Sequence, residues 1–205
     1  VRAAVNGADG PVGALSFVYK AAAEIGELGD NTAALRAAIE GDELLHLALA
    51  ADGAQALVLG HTRWASVGII SEANAHPLNS DEEDAVGGPY VTAALNGDVD
   101  NFADLKAAHG LTLAPEITTD AKVIPTLVSR RVAAGESLDS AFRAAVASME
   151  GSVAIAASAA TSPDHLHLAL RGSGQALYIG LAEDAFIVAS EPYGVVEETA
   201  TYLRM

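Results

Sequence analysis

The order of apolar patterns along the chain is the feature that most limits its fold. Residues 14–19 alternate enough to predict a strand, whereas residues 121–133 and 138–149 repeat apolar side chains at helical spacing. Four further strands are predicted at residues 152–157, 165–171, 175–181 and 185–190, as in an antiparallel meander. Strands at both ends with helices between them predict stacked sheets with helices outside, an α+β fold.

Two shorter apolar segments and one acidic segment complete this pattern. Residues 56–59 and 89–95 each predict a strand, and the second strand enters Asn96-Gly97, a dipeptide that is common in tight turns. The acidic residues 80–84 predict a solvated loop rather than a cation site, because nothing in such a run fixes one geometry.

Charge and composition exclude several classes of protein. The 205 residues carry a formal net charge of −16 with only 11 basic side chains, which argues against binding to nucleic acid or to an anionic membrane. No apolar run approaches the roughly 20 residues of a membrane span. No cysteine is present for disulfides or thiolate metal sites. We expect a soluble cytoplasmic protein of one domain, residues 1–205, without a metal or cofactor.

Residues 59–77 concentrate the residue types that suit a ligand site. They hold the only tryptophan, Trp64, next to Arg63, together with two histidines. The segment contains too many Gly, Asn and Pro residues to form one regular element. A predicted strand that opens into such a loop can present side chains to a ligand. The alternative is that Trp64 covers a core edge and Arg63 lies on the surface.

The order of residues in this segment resembles a known loop. Gly-His-Thr-Arg-Trp-Ala at residues 60–65, followed by Ser-Glu-Ala-Asn-Ala-His-Pro at 71–77, resembles the glutamine-binding loop of class II (Ntn-type) glutamine amidotransferases. Further segments fit the family's motifs in order, among them Leu-Asn-Gly at 95–97, Thr-Asp-Ala-Lys-Val-Ile at 119–124 and Arg-Gly-Ser-Gly at 171–174. The resemblance covers roughly residues 13–190 and is strongest to the glutaminase domain of glutamine–fructose-6-phosphate aminotransferases.

The resemblance implies a more specific fold and an activity. The implied fold is a four-layer αββα sandwich of antiparallel sheets, which is Ntn-hydrolase-like. The implied reaction is hydrolysis of the glutamine side-chain amide, with ammonia passed to fructose 6-phosphate in glucosamine-6-phosphate synthesis. The implied partners are glutamine, a downstream sugar-phosphate isomerase-type domain and, in the full protein, further copies in a homo-oligomer.

The resemblance also assigns roles to individual residues. Arg63 suits the α-carboxylate of glutamine, because a guanidinium makes two parallel hydrogen bonds to a carboxylate. Asp120 suits the α-ammonium, and Ser66 adds a hydroxyl. The side-chain amide of Asn96 and the backbone N–H of Gly97 suit an oxyanion hole.

Two further residues match the family's loop. Trp64 resembles the family's gate over the ammonia path, and His76 matches a motif histidine whose alternative role is to order the loop. The other residues have plainer alternatives as well: Asn96-Gly97 as a turn, and Asp120 as a helix cap.

The chain departs from the family pattern at several positions. Val67 and Leu95 replace motif histidines, and Lys122 replaces a glutamate. The chain begins with Val1, whereas the family's nucleophile is a cysteine at the mature N-terminus. We therefore expect either an N-terminally incomplete part of a longer protein or a lost nucleophile. On either account, we expect no glutamine hydrolysis by this chain alone.

Three hypotheses follow from these observations. The chain is a glutaminase domain without its cysteine segment, a catalytically inactive glutamine-binding or regulatory module on the same scaffold, or a structural domain without a ligand. The presence of Arg63, Asn96, Gly97 and Asp120 favours the first two hypotheses over the third.

Overall fold

The structure is a computed structural model that describes residues 2–5, 12–22, 29–62, 67–84 and 88–205. In chain order, the strands and helices of these residues are β1 (Arg2–Val5), β2 (Val12–Ser16), α1 (Asp30–Glu40), α2 (Glu43–Leu49), β3 (Leu78–Asn79), β4 (Val91–Val99), α3 (Phe102–Ala108), α4 (Val123–Ala133), α5 (Leu138–Ala147), β5 (Gly151–Ala159), β6 (Ser162–Arg171), β7 (Tyr178–Leu181), β8 (Phe186–Ala189), α6 (Tyr193–Val196) and β9 (Tyr202–Arg204). A 3₁₀ turn, Asp120–Lys122, immediately precedes α4.

The main sheet contains four antiparallel strands in the order β3-β4-β5-β6. β4 and β5 pair along their whole length, from Val91 opposite Ala159 to Val99 opposite Gly151. β3 is much shorter and pairs only with Thr92 and Ala93 of β4. Beyond Ala93, therefore, β3 does not cover the outer edge of β4.

Helices α4 and α5 cover one face of this sheet with apolar side chains. Ile124 and Leu127 of α4 are buried against Leu95 and Ile155 of the sheet, and α5 contributes Phe142. Full burial of each large aliphatic side chain stabilises the fold by about 1.5–3 kcal/mol. The α+β class with antiparallel sheets, predicted from the sequence pattern, is confirmed. No helix among the described residues is both long enough and apolar enough to cross a membrane.

The predicted four-stranded meander at the end of the chain is wrong. β6 ends the main sheet, whereas β7 lies in a second antiparallel sheet of order β8-β7-β9. Between the two sheets, Gly172 and Gly174 have φ values of 78° and 100°, which turn the chain away from the edge of β6. β9, which the sequence pattern did not predict, then pairs with β7.

The segment predicted as a buried strand at 56–59 is not a strand. Its side chains are mostly exposed, and Val58 is 85% exposed. A strand needs a neighbour that accepts and donates its backbone hydrogen bonds, and none of the described strands pairs with this segment.

The acidic segment 80–84 is anchored and is not simply a solvated loop. The Glu82 side chain is only 3% exposed and accepts hydrogen bonds from Arg130 Nε (2.6 Å) and from the Thr112 backbone N–H (2.9 Å). Nearby, the buried Lys122 ammonium donates to the backbone oxygens of Asn79 and Asp81, both at 2.7 Å. Asp81, Glu83 and Asp84 are exposed, as the sequence predicted, but the anchoring was not predicted, because the cations that hold this segment lie 41 and 48 residues further along the chain.

The Lys122 contacts predict an alkaline dependence of stability. Burial lowers the pKa of the Lys122 ammonium from 10.5 to about 8, against the opposing carboxylates of Asp81 and Glu82, and the charge on Lys20 lowers the pKa further. Between pH 8 and 10.5 the unfolded chain therefore holds a proton that the folded chain has released, so stability rises with pH in this window. The full shift corresponds to about 3 kcal/mol.

Chemical denaturation between pH 7.5 and 10 measures this effect. We expect Lys122→Met to remove most of the rise, while Lys106→Met, at an exposed lysine, leaves it unchanged. An equal pH slope in Lys122→Met and the wild type would contradict the assignment.

Candidate functional site

Three segments that carry motif residues meet at one edge of the main sheet. They are the loop 67–76, the end of β4 from Leu95 to Val99, and residues 116–120 before α4. The structure therefore brings together His76, Asn96, Gly97 and Asp120 in one region. Arg63, Trp64 and Ser66 lie outside the described residues, and their roles stay predictions.

Asn74 joins the loop to residues 116–119. Its side chain is completely buried, and its amide oxygen accepts hydrogen bonds from the backbone N–H groups of Thr118 (2.8 Å) and Thr119 (3.1 Å). Its amide nitrogen donates to the Ile69 backbone oxygen (3.2 Å) within the loop and to the Glu116 backbone oxygen (3.3 Å). Because a buried amide is costly unless it is paired, this set of contacts specifies one relative position of the two segments.

Two histidines contact β4: His76, at the end of the same loop, and His61, which precedes the loop in the chain. The Leu95 backbone N–H donates to Nδ1 of His76 at 3.2 Å, and Nε2 of His61 lies 2.9 Å from the Leu95 carbonyl oxygen. The two imidazole rings are stacked, with centroids 4.2 Å apart and planes tilted by 30°. This hydrogen bond favours a loop-ordering role for His76, and direct contact of His76 with substrate stays a prediction.

Asp120 joins the third segment to β4. Its carboxylate is buried and accepts hydrogen bonds from the Val99 backbone N–H (2.7 Å) and the Thr119 hydroxyl (3.3 Å). Burial raises the pKa of Asp120; the N–H groups of Val99 and Ala121 oppose this increase, and the charge of Asp98 adds to it. Because the carboxylate reaches across to the strand, Asp120 is more than a helix cap.

Asn96 and Gly97 do not form a turn, which corrects the sequence prediction. β4 continues through both residues, with Asn96 opposite Ala154 and Gly97 opposite Val153. The long pairing with β5 overrides the turn preference of the dipeptide. Gly97 has a φ of 121°, and a Cβ atom there would overlap the Ser152 carbonyl oxygen, so this position requires glycine.

The alternation of side chains along β4 sets the direction of Asn96. Leu95 and Val99 point into the core beneath the helices, and Asn96, which is half-buried, lies on the opposite face. The Asn96 amide is therefore available on the face of the sheet that α4 and α5 do not cover.

A cavity of about 260 Å³ lies near this region but is not formed by the motif residues. Phe102 and Lys106 of α3 line it together with residues 113–115 and 117–119. It adjoins Asp120 through Thr119, whereas Asn96 and Gly97 do not line it. Among the described residues, no group of three or more His, Asp or Glu side chains is arranged to hold a metal ion.

Sequence reasoning did not assign roles to Asn74 and His61. Both lie inside the loop motifs, so their positions were visible in the sequence. Their contacts with other segments were not, because those partners lie 34 to 45 residues away along the chain.

Solved structures identify the class of fold. The glutamine phosphoribosylpyrophosphate amidotransferase from B. subtilis, complexed with ADP and GMP, superposes with a TM-score of 0.53 and 26% identity over 70% of this chain and 29% of that chain. A structure of the allosteric regulatory enzyme of purine biosynthesis gives 0.53 and 25% identity, covering 65% of this chain and 28% of that chain. The resemblance of this chain to Ntn-type glutamine amidotransferases is confirmed.

Sequence relatives make the resemblance more specific. The chain is 31% identical over 147 residues to the glutamine–fructose-6-phosphate aminotransferase (isomerizing) of Halalkalibacterium halodurans, covering 72% of this chain and 23% of the relative. It is 35% identical over 150 residues to the enzyme of the same name from Acidithiobacillus ferridurans, with the same two coverages. The chain matches no family model. It is thus homologous to glutamine–fructose-6-phosphate aminotransferases, and it spans about a quarter of the length of the curated relatives it matches.

The Asn74 contacts predict a measurable loss of stability and ligand binding. Asn74→Ala leaves the buried N–H group of Thr119 and the N–H group of the exposed Thr118 without their acceptor, so we expect the free energy of unfolding to fall by about 2–3 kcal/mol. If the loop binds glutamine, as the resemblance implies, glutamine affinity should fall as well, because the loop is no longer fixed beside Asp120.

Asn101→Ala is the matched control. Asn101 also makes two side-chain hydrogen bonds to backbone, with Ser148 and Glu150, but away from the loop. Chemical denaturation and calorimetry with glutamine compare the two variants. If both variants bind glutamine as the wild type does, Asn74 has only a structural role.

Proposed function

We propose that this chain is the glutaminase domain of a glutamine-dependent sugar aminotransferase. It hydrolyses the side-chain amide of glutamine to glutamate and ammonia when it is joined to a segment that supplies an N-terminal cysteine. The observation that carries the proposal is the mutual attachment of three motif segments through the contacts of Asn74, Leu95 and Asp120. The homology to glutamine–fructose-6-phosphate aminotransferases supports the same assignment.

The buried carboxylate of Asp120 suits the α-ammonium of glutamine. In the absence of substrate, burial penalises the anionic form and raises the pKa of Asp120. The positive charge of a bound α-ammonium would offset this penalty. Relief of the penalty on the Asp120 carboxylate therefore contributes part of the free energy of glutamine binding. Arg63 and Ser66 contact the α-carboxylate at the other end of the zwitterion in this proposal.

Asn96 and Gly97 supply the oxyanion hole in this proposal. The thiolate of the cysteine attacks the amide carbon, and the carbonyl oxygen gains negative charge, which N–H donors fixed in advance stabilise. Pairing with β5 holds the backbone of Asn96 in place. A fixed backbone is what the side-chain amide of Asn96 requires to act as a hydrogen-bond donor of fixed direction.

The remaining assignments concern the whole protein. Ammonia passes beneath Trp64 to a downstream sugar-phosphate isomerase-type domain that binds fructose 6-phosphate, and the protein works as a homo-oligomer in the cytoplasm. The homology to glutamine–fructose-6-phosphate aminotransferases supports the sugar acceptor. A catalytically inactive glutamine-binding module is the alternative function, and activity measurements separate the two.

Substitution of the two predicted charge contacts tests substrate binding. We expect Arg63→Lys and Asp120→Asn each to weaken glutamine binding by about tenfold or more, because one ammonium cannot replace a two-pronged guanidinium and a neutral amide cannot pair with the α-ammonium. Asp120→Asn should not lower the melting temperature, since Asn retains an acceptor for the Val99 N–H and removes a buried charge.

Calorimetry at several pH values provides the measurement. Glutamine affinity should weaken as the pH falls through the raised pKa of Asp120, because the protonated carboxyl carries no charge. Asp139→Asn, at an exposed carboxylate on α5, is the control. Wild-type affinity in both Arg63→Lys and Asp120→Asn would mean that the loop does not bind glutamine.

Asn96→Ala separates catalysis from folding. Asn96 lies inside a strand and has no positive φ, so its replacement should leave the melting temperature nearly unchanged. If Asn96 is an oxyanion donor, kcat for glutamate release by the full-length protein should fall by about 10²–10³ with little change in KM. Thr92→Ala, on the same face of β4, is the control. A kcat within a few-fold of wild type would exclude the catalytic role.

A further inference from the structure

We infer that His61 and His76 are positioning residues that fix Asn96 by holding both backbone polar groups of Leu95. This inference rests on the proposed function, because the role of Asn96 as an oxyanion donor belongs to that function. It assigns a role to His61, and it replaces substrate contact by backbone support as the main task of His76.

The two imidazoles occupy an edge of the sheet that β3 leaves uncovered. β3 ends its pairing opposite Thr92 and Ala93. Leu95 lies two residues beyond Ala93, so its backbone N–H and C=O point to the same edge. At that edge His76 accepts from the N–H and His61 binds the C=O, which are the two hydrogen bonds that a longer β3 strand would supply.

The chemistry of the two rings is complementary. Nδ1 of His76 accepts a hydrogen bond from an N–H group, so this nitrogen carries no proton. Nε2 of His61 faces a carbonyl oxygen, so this nitrogen carries the proton and donates it. The two rings are stacked with their centroids 4.2 Å apart, so both lie beside the backbone of the same residue, Leu95.

Leu95 is thereby held from two sides. Its side chain is 3% exposed and packs in the core beneath the helices, while the two rings hold its backbone at the edge. Asn96 is the next residue, and a catalytic donor must keep its position within about 0.5 Å of the productive geometry to act.

The same contacts attach the motif loop to the strand. His61 stands two residues before Arg63, and His76 stands at the far end of the loop. Both ends of the segment that carries Arg63 and Trp64 are thus tied to the residue that precedes Asn96. The pair of histidines therefore couples the two ends of this segment to the position of the proposed oxyanion donor.

Variants that separate the ring from the hydrogen bond test this inference in the full-length protein. His76→Phe keeps an aromatic ring but removes the acceptor, whereas His76→Gln keeps an acceptor for the Leu95 N–H. We expect His76→Phe to lower kcat for glutamate release by about tenfold or more, with KM for glutamine within about threefold of wild type. His76→Gln should recover most of this loss. His167→Phe, at the half-buried histidine that contacts Asp139, is the control.

A double-mutant cycle distinguishes positioning from general stability. In the Asn96→Ala background, His76→Phe should cause no further loss of kcat, because the group that it positions is already absent. The melting temperature would fall equally in both backgrounds and serves as the internal comparison. Equal kcat losses in the two backgrounds would overturn the inference.

Hydrogen exchange reports on the contact directly. The Leu95 amide should exchange slowly in the wild type, faster in His76→Phe, and slowly again in His76→Gln. Unchanged exchange in His76→Phe would overturn the inference, whatever the activity. A wild-type protein that neither binds glutamine nor releases glutamate would instead overturn the proposed function, and with it the catalytic consequence of the histidine pair.

Discussion

The side-chain amide of Asn74 is the contact on which the arrangement of the site depends. A fully buried amide without partners would destabilise the fold by several kcal/mol, so its neighbours must present donors and acceptors at fixed positions. Thr118 and Thr119 supply the donors, and the loop itself supplies acceptors. The loop and the segment before α4 consequently have one relative position, and Asp120 follows directly in the chain.

Two buried charges near this junction show how the fold tolerates unfavourable groups. Asp120 keeps its carboxylate in a place where burial favours the neutral acid, and Lys122 keeps its ammonium where burial favours the neutral amine. Both are satisfied by hydrogen bonds to the main chain of other segments. The two groups differ in one respect. The Lys122 ammonium already donates its hydrogen bonds to a neighbouring loop, whereas the Asp120 carboxylate would be stabilised by pairing with a cation.

The sequence predicted those features of the molecule that depend on local apolar patterns or on the order of motifs. It did not predict contacts between distant segments. The apolar pattern predicted the α+β class, and motif order predicted the region of the site. The Asn96-Gly97 turn was wrong because cross-strand pairing with β5, some 55 residues away, outweighs a dipeptide preference. The apolar segment 56–59 was wrong as a strand because a strand is defined by its neighbours. The role of Asn74 was missed because the partners that join it to the segment before α4 lie more than 40 residues away.

Glycine at position 97 is required by the fold independently of any requirement of the chemistry. Its backbone conformation and its close approach to Ser152 exclude any side chain, whether or not the position has a part in chemistry. In a saturation library, selection for folding and selection for activity would therefore return the same residue at this position. Sequence invariance at position 97 is uninformative about mechanism, whereas the substitution spectrum at Asn96, where the backbone tolerates other side chains, can distinguish the two kinds of selection.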